Sequence, residues 1–225
     1  MGAALIELRQ YRCRPGQRDA MMAMFEHHFR PAYAQAGARI LGSFAAQEQP
    51  DLWVWLRAFD TPAARPAVLE RFYGGAVWRQ HGQACNALLA DTREARLLRL
   101  HGGCLDQALD ASASRYVLRL WRPRAARRAA VLQALEDSAR DPGYALLLDC
   151  PVALALAGQR RVRRGPCVLS LQRWTEAIPP AIPATEERLT ALCHLPPLCL
   201  TLQALSARQA TLTPNPDSTE GAHRG

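Results

Sequence analysis

A guanidinium stands among indole rings on one side of a short apolar run. Trp53, Trp55, Arg57 and Phe59 alternate with Val54, Leu56 and Ala58. A period of two puts the first four on one strand face and the last three on the other. An arginine there offers charge-assisted hydrogen bonds to a carboxylate or carbonyl, and a tryptophan offers a flat stacking wall. Earlier in the chain Glu7, Arg9 and Tyr11 share one face of a second run. Two readings follow. In the first, Glu7, Arg9 and Arg57 form a structural ion-pair ladder with aromatics packed around it. In the second, Arg57 holds an anionic or carbonyl group of an aromatic ligand, Trp55 stacks on it, and Tyr11 is a donor or acid. The second reading adds Trp53, Arg9, Glu7, Tyr73 and Trp78 to the candidate ligand-binding set. Tyr73 and Trp78 flank Gly74-Gly75 and would gate a mouth.

For acid–base work the candidates are His81, then His28, with Tyr11 beside them. His81 falls on the helical stripe Val77, Ala84, Cys85 and Leu88; His28 falls on the stripe Met21, Met24, Phe25 and Phe29. Core packing is the competing account of both histidines. No Ser-His-Asp order, H-E-x-x-H pattern, P-loop or G-x-G-x-x-G occurs. The sequence therefore predicts no cofactor and no metal. The seven cysteines are widely spaced, without a C-x-x-C pair, and read as small core residues rather than a disulfide framework.

The net charge of +8 comes entirely from arginine, for there is no lysine. The basic runs Arg122–Arg128 and Arg160–Arg164 lack interleaved aromatics, so no nucleic-acid partner is predicted. A hydrophobic content of 49% supports a packed core. No apolar run is long enough to span a bilayer, and MGAALIELRQ does not read as a secretory signal. The expectation is a soluble, cytoplasmic protein.

These residues need strands and helices to hold them. Leu5–Arg12 reads as a strand, broken at Pro15-Gly16. A helix follows over Arg18–Tyr33. Gly37–Ala45 and Trp53–Phe59 are the next strands. Thr61-Pro62 starts a helix that stops at Gly74-Gly75. Val77–Leu89 is helical, and Ala95–Leu100 is a fourth strand. The order β-α-β-β-α-β is ferredoxin-like, with helices on one sheet face and the other needing cover. The pattern then starts again. Leu118-Arg119-x-Trp121-Arg122 echoes Leu8-Arg9-x-Tyr11-Arg12, followed by a helix over Ala125–Arg140 and strands at Tyr144–Cys150, Cys167–Trp174 and Leu198–Leu205. A short helix over Thr185–Cys193, capped by Thr185, precedes the last strand. The expected fold is α+β with two tandem ferredoxin-like units. The boundaries are 1–102 for the first unit, 103–114 for a linker, 115–210 for a degenerate second unit and 211–225 for a disordered tail.

Several segments resemble the NIPSNAP family: ELRQY at Glu7–Tyr11 with Pro15-Gly16, Phe25-Glu26 and Phe29, Gly42 and Phe44, WLRAF at Trp55–Phe59, Arg65, and FYGG-x-x-W at Phe72–Trp78. The match covers nearly all of Leu5–Leu100. The second half fits more loosely, through Arg161–Pro166 and LQALSAR at Leu202–Arg208. There Leu205 and Ser206 replace the family's proline and threonine. The resemblance implies a dimeric α/β-barrel arrangement, sheets packed face to face with helices outside, here with both halves in one chain. Glu7, Arg9, Tyr11 and the Trp53–Phe59 face would then point into the barrel. Its superfamily includes cofactor-free monooxygenases, haem-degrading enzymes and small-substrate isomerases. The expected function is binding of a small aromatic or apolar ligand in a barrel cavity, with cofactor-free monooxygenase- or isomerase-like chemistry. The alternative is a non-catalytic interaction or scaffold protein. A homo-oligomer is compatible with either.

Overall fold

A computed structural model describes residues 5–109, 115–136, 143–149, 167–174 and 188–204. Eight strands close into a barrel: β1 (Leu5–Cys13), β2 (Arg39–Ala46), β3 (Leu52–Phe59), β4 (Leu89–Gly103), β5 (Arg115–Trp121), β6 (Tyr144–Asp149), β7 (Val168–Trp174) and β8 (Leu198–Ala204). Around the barrel they run β1-β3-β2-β8-β5-β7-β6-β4, each antiparallel to its neighbours. Closure leaves no free sheet edge. The order β4-β1-β3-β2 in the first half recurs as β8-β5-β7-β6 in the second.

Alternation along β1 and β3 decides what goes where. Ile6, Leu8, Val54, Leu56 and Ala58 point inward and join aliphatic residues from every other strand in one cluster, with Leu118, Leu147, Leu169 and Leu200 among them. The barrel interior is a packed core. The opposite face, with Tyr11, Trp53, Trp55 and Phe59, belongs to a different cluster built with the helices. The face expected to point into the barrel therefore lies outside it, under the helix layer. The reason is steric and polar. An eight-stranded interior accepts mid-sized aliphatics, whereas buried arginines need partners that only another layer supplies.

That layer comprises α1 (Arg18–Met24), a π-helical turn (Phe25–Phe29), α2 (Arg30–Ala36), α3 (Ala64–Tyr73) and α4 (Ala76–Leu88). The sequence predicts one α-helix where α1, the π turn and α2 now stand. The wider π turn keeps Phe25 and Phe29 buried and rolls His28 to a half-buried position. Gly37, at φ 96°, ends α2 in the left-handed conformation. The helix expected from Pro62 begins at Ala64, whose N–H donates to Thr61 Oγ1 at 3.2 Å.

β4 is far longer than the expected Ala95–Leu100. Its first part pairs with β1 back to Leu89 and its last part with β6 out to Gly103, so it staples the halves together. Within the expected 103–114 linker, Leu105–Ala108 forms a helical turn, α5. Leu105 and Ala108 enter the interior cluster. In the second half, α6 (Arg128–Glu136) and a helical turn at 188–191 cover the outer face. Val131, Leu135 and Leu189 pack there against Trp121, Tyr144 and Val168. The ends expected at Arg140 and Cys150, the Arg161–Pro166 turn, the Thr185 cap, Leu205–Arg208 and the 211–225 tail lie outside the described residues.

Cys13, Cys85, Cys167 and Cys193 are buried and unbridged, while Cys199 is exposed. No helix among the described residues is long and apolar enough to cross a membrane.

Candidate ligand site

The register sets up the site. β1 and β3 pair so that Glu7 faces Arg57, Arg9 faces Trp55, and Tyr11 faces Trp53. Glu7 is fully buried. Its carboxylate accepts from Arg57 Nε and Nη2 at 3.1 and 3.0 Å, from Arg65 at 2.9 and 3.1 Å, and from Arg9 Nη1 at 2.9 Å. Arg65 comes from α3, and Tyr33 of α2 accepts from Arg57 Nη1 at 2.7 Å. One carboxylate thus meets three guanidiniums, a net charge of +2 under the helix layer. Burial alone would push the Glu7 carboxyl up; Arg57, Arg9 and Arg65 overcome it and hold the pKa far below the ordinary range. Burial likewise opposes the charge on Arg57, but Glu7 outweighs it and raises its pKa.

Beside this cluster lies a cavity of about 270 Å³ between the sheet's outer face and the helices. Its floor is Arg9, Tyr11, Trp53 and Trp55; Phe25, Phe29, Tyr33 and Phe72 form a wall; Tyr73 and Trp78 stand at its rim, with Asn86 and Thr92 on the α4–β4 side. Trp53 and Trp55 stack at 5.4 Å and 13°, and Phe25 meets both at 4.9 Å. Tyr73, 42% exposed, sets its ring edge to Trp78 at 4.8 Å.

Arg9 is the cation that reaches this space. It donates to Tyr11 Oη from Nε at 3.1 Å and Nη2 at 2.7 Å, and to the Thr92 carbonyl at 3.1 Å. Trp53 Nε1 donates to Ser43 Oγ at 3.0 Å. Trp55 Nε1 is buried and donates to none of the described residues. Burial raises the pKa of Tyr11 and Tyr33, keeping both phenols protonated near neutrality. The Cys85 thiol is pushed up to about 12 by burial, which keeps it from acting as a nucleophile.

Of the sequence candidates, Arg9, Tyr11, Trp53, Trp55, Tyr73 and Trp78 come together in this lining, and Glu7 and Arg57 lie behind it as an ion pair. Arg57 does not line the cavity; Glu7 and Tyr33 take its donors. His81 and His28 stack on one another at 3.9 Å, both half-buried and both outside the lining. Tyr33, Phe25, Phe29 and Thr92 are site residues that the sequence reading did not select. For Tyr33 the signal was present: it lies four residues after Phe29, on the same helical stripe. Arg65 entered only through a motif, because helix periodicity cannot foretell a salt bridge to a strand.

Among the described residues of the second half this chemistry is not repeated. In the repeated motif Val117 stands where Glu7 does, and Gln172, opposite Val117 across β5–β7, stands where Arg57 does. Arg119 and Trp121 remain buried. No group of three or more His, Cys, Asp or Glu among the described residues could hold a metal ion.

The fold and this charge-backed cavity define an α+β protein with a closed eight-stranded antiparallel barrel and a cavity beneath its helix layer. Residues 6–101 match the NIPSNAP family model. No curated protein matches the sequence. Among solved structures, an anthrone oxidase-like protein is similar at 12% identity and a TM-score of 0.60, covering 91% of this chain and 92% of that one. A candidate monooxygenase from Fusobacterium nucleatum is similar at 6% identity and 0.59, covering 91% and 94%. Another, from Lactobacillus acidophilus NCFM, is similar at 9% identity and 0.56, covering 89% and 93%. At such identities the likeness is one of fold.

Proposed function

We propose that this chain binds a small aromatic or apolar molecule bearing a polar group, in the cavity between helices and sheet. The observation that carries this reading is the aromatic lining, closed at its floor by Arg9, Tyr11 and the unpartnered Trp55 N–H. Apolar walls bind through area removed from water, and a few donors fix orientation. The reaction class that suits such a site is cofactor-free oxygenation or isomerisation through a stabilised oxyanion, consistent with the names of the structural neighbours. In the oxygenation, an activated methylene gives up two hydrogens and takes one oxygen atom of O2, the other leaving as water. Arg9, Tyr11 and Trp55 would stabilise the enolate oxygen. We further read the chain as two tandem ferredoxin-like units divided near 103–114, on the recurrent strand order and the repeated Leu-Arg-x-aromatic-Arg motif.

Displacement of N-phenyl-1-naphthylamine tests the binding. The wild type should bind the dye and release it to aromatic ketones and phenols, and Trp55→Ala or Trp78→Ala should weaken both by roughly tenfold or more. Binding unchanged in both variants sinks the reading. A filled barrel interior favours the alternative, a non-catalytic scaffold, and such a protein would show no dye binding at this cavity.

A further inference from the structure

We propose that the ligand is an anion: an aromatic carboxylate or phenolate whose ionised oxygen is held by Arg9, Tyr11 and Trp55. The inference rests on the ligand site proposed above and adds the charge of its occupant.

The first ground is the balance of charge. Three guanidiniums share the single Glu7 carboxylate. Arg57 and Arg65 spend their donors on Glu7 behind the cavity, and Arg57 also on Tyr33. Arg9 also gives Nη1 to Glu7, but among the described residues it is the one cation that lines the cavity, and no described aspartate, glutamate or histidine lines it. A buried positive excess is costly unless an anion meets it, and the cavity gives a ligand access to this one.

The second ground is the direction of the hydrogen bonds. Arg9 gives two N–H groups to Tyr11 Oη. With its lone pairs so engaged, the Tyr11 hydroxyl is left to donate, and no described residue accepts from it. Trp55, 1% exposed, has an N–H without a partner. Trp53, its stacking neighbour, has Ser43. A cation, a hydroxyl and an indole N–H, all donors, line one aromatic chamber. An oxygen that only accepts satisfies all three. A volume of about 270 Å³ suits a two- or three-ring molecule.

The test compares two probes of one shape, 2-naphthoate and 2-naphthamide, by calorimetry on the full chain at pH 7. The naphthoate should bind about tenfold or more tightly than the amide, as charge-assisted bonds exceed neutral ones. Arg9→Met should bring the naphthoate down to the amide's affinity and leave the amide within about threefold. Trp55→Phe, which keeps a ring and removes the N–H, should weaken the naphthoate by roughly three- to tenfold. If circular dichroism shows Arg9→Met unfolded, Trp55→Phe and Tyr11→Phe carry the comparison. Arg12→Met, an exposed control, should leave the preference unchanged. Equal affinities in the wild type, or a preference that survives Arg9→Met and Trp55→Phe, would overturn the anion while leaving an occupied cavity. Failure of both probes to bind at millimolar concentration would remove the ligand site along with it.

Discussion

Glu7 and Arg57 stand directly opposite each other on β1 and β3, both buried and joined by bonds of 3.1 and 3.0 Å. This carboxylate is what allows three guanidiniums to be buried together. Glu7→Gln keeps the shape and removes the charge, leaving an uncompensated cationic cluster, which costs on the order of 3–5 kcal/mol. Urea denaturation should show that loss. The pH dependence follows from the lowered carboxyl pKa. The folded protein takes up this proton at lower pH than the unfolded chain does. Glu7's contribution is therefore whole above its ordinary value of 4.5 and is lost as pH falls below it. Wild-type stability should decline below about pH 4.5, and Glu7→Gln should make that acid limb shallower. An unaltered acid limb would show that Glu7 is not the group responsible.

Tyr33 ties the helix layer to this ion pair. Its hydroxyl accepts from Arg57 Nη1 at 2.7 Å, and its ring stacks on Phe72 at 3.7 Å. Tyr33→Phe retains the stack and strands one guanidinium donor in a buried place. A destabilisation of about 1–3 kcal/mol is expected from an unsatisfied buried donor. Tyr33→Leu should cost more, because the stack goes too. Equal losses would mean that the stack on Phe72 contributes nothing, and an undiminished stability in Tyr33→Phe that the hydroxyl does not.

Much of this was legible from period and turn chemistry. The alternation in Trp53–Phe59 gave a strand with two distinct faces, and Pro15-Gly16 and Gly74-Gly75 mark real breaks between elements. What alternation cannot say is which face points into a barrel, because every residue of β3 is buried. Alternation therefore left Arg57 open between a ligand holder and a rung of an ion-pair ladder. It is the partner of Glu7, and Arg9 carries the end of the charge that faces the cavity. The π turn was invisible because one added residue leaves the apolar spacing nearly intact, yet it moves His28 off the buried face. The length of β4 was hidden too. Its polar stretch Asp91–Glu94 is ordered by pairing with β1, a non-local contact that local pattern does not encode.

Gly82 holds Trp78 at the rim of the cavity. A Cβ placed on Gly82 would come within 2.8 Å of the Trp78 indole, closer than carbon atoms approach. Alanine in a helix interior gains about 1 kcal/mol over glycine, while overpacking costs roughly 1–3 kcal/mol. Gly82→Ala should therefore lower stability modestly, and its main effect should fall on Trp78. Dye exchange at the cavity mouth should change rate in Gly82→Ala, with little change in a control such as Ala90→Gly on β4. A rate identical to wild type would show that the indole is not a gate.

The stacked imidazoles of His28 and His81, 3.9 Å apart with His27 4.5 Å from His28, make a separate prediction. Burial, then the charges of His81 and His27, hold His28 below its ordinary value of 6.5. A lowered histidine favours the neutral form in the fold, so the contact between the π turn and α4 is best formed above that value and weakens as pH falls below it. His81→Phe keeps a ring for stacking and removes a charge, so the His28 midpoint in an NMR titration should move up toward 6.5. Neither histidine lines the cavity, so ligand affinity in His28→Ala and His81→Ala should stay within about twofold of wild type. A tenfold loss of binding or turnover in either variant would restore these two residues as acid–base candidates and would require the helix layer to move in the bound state.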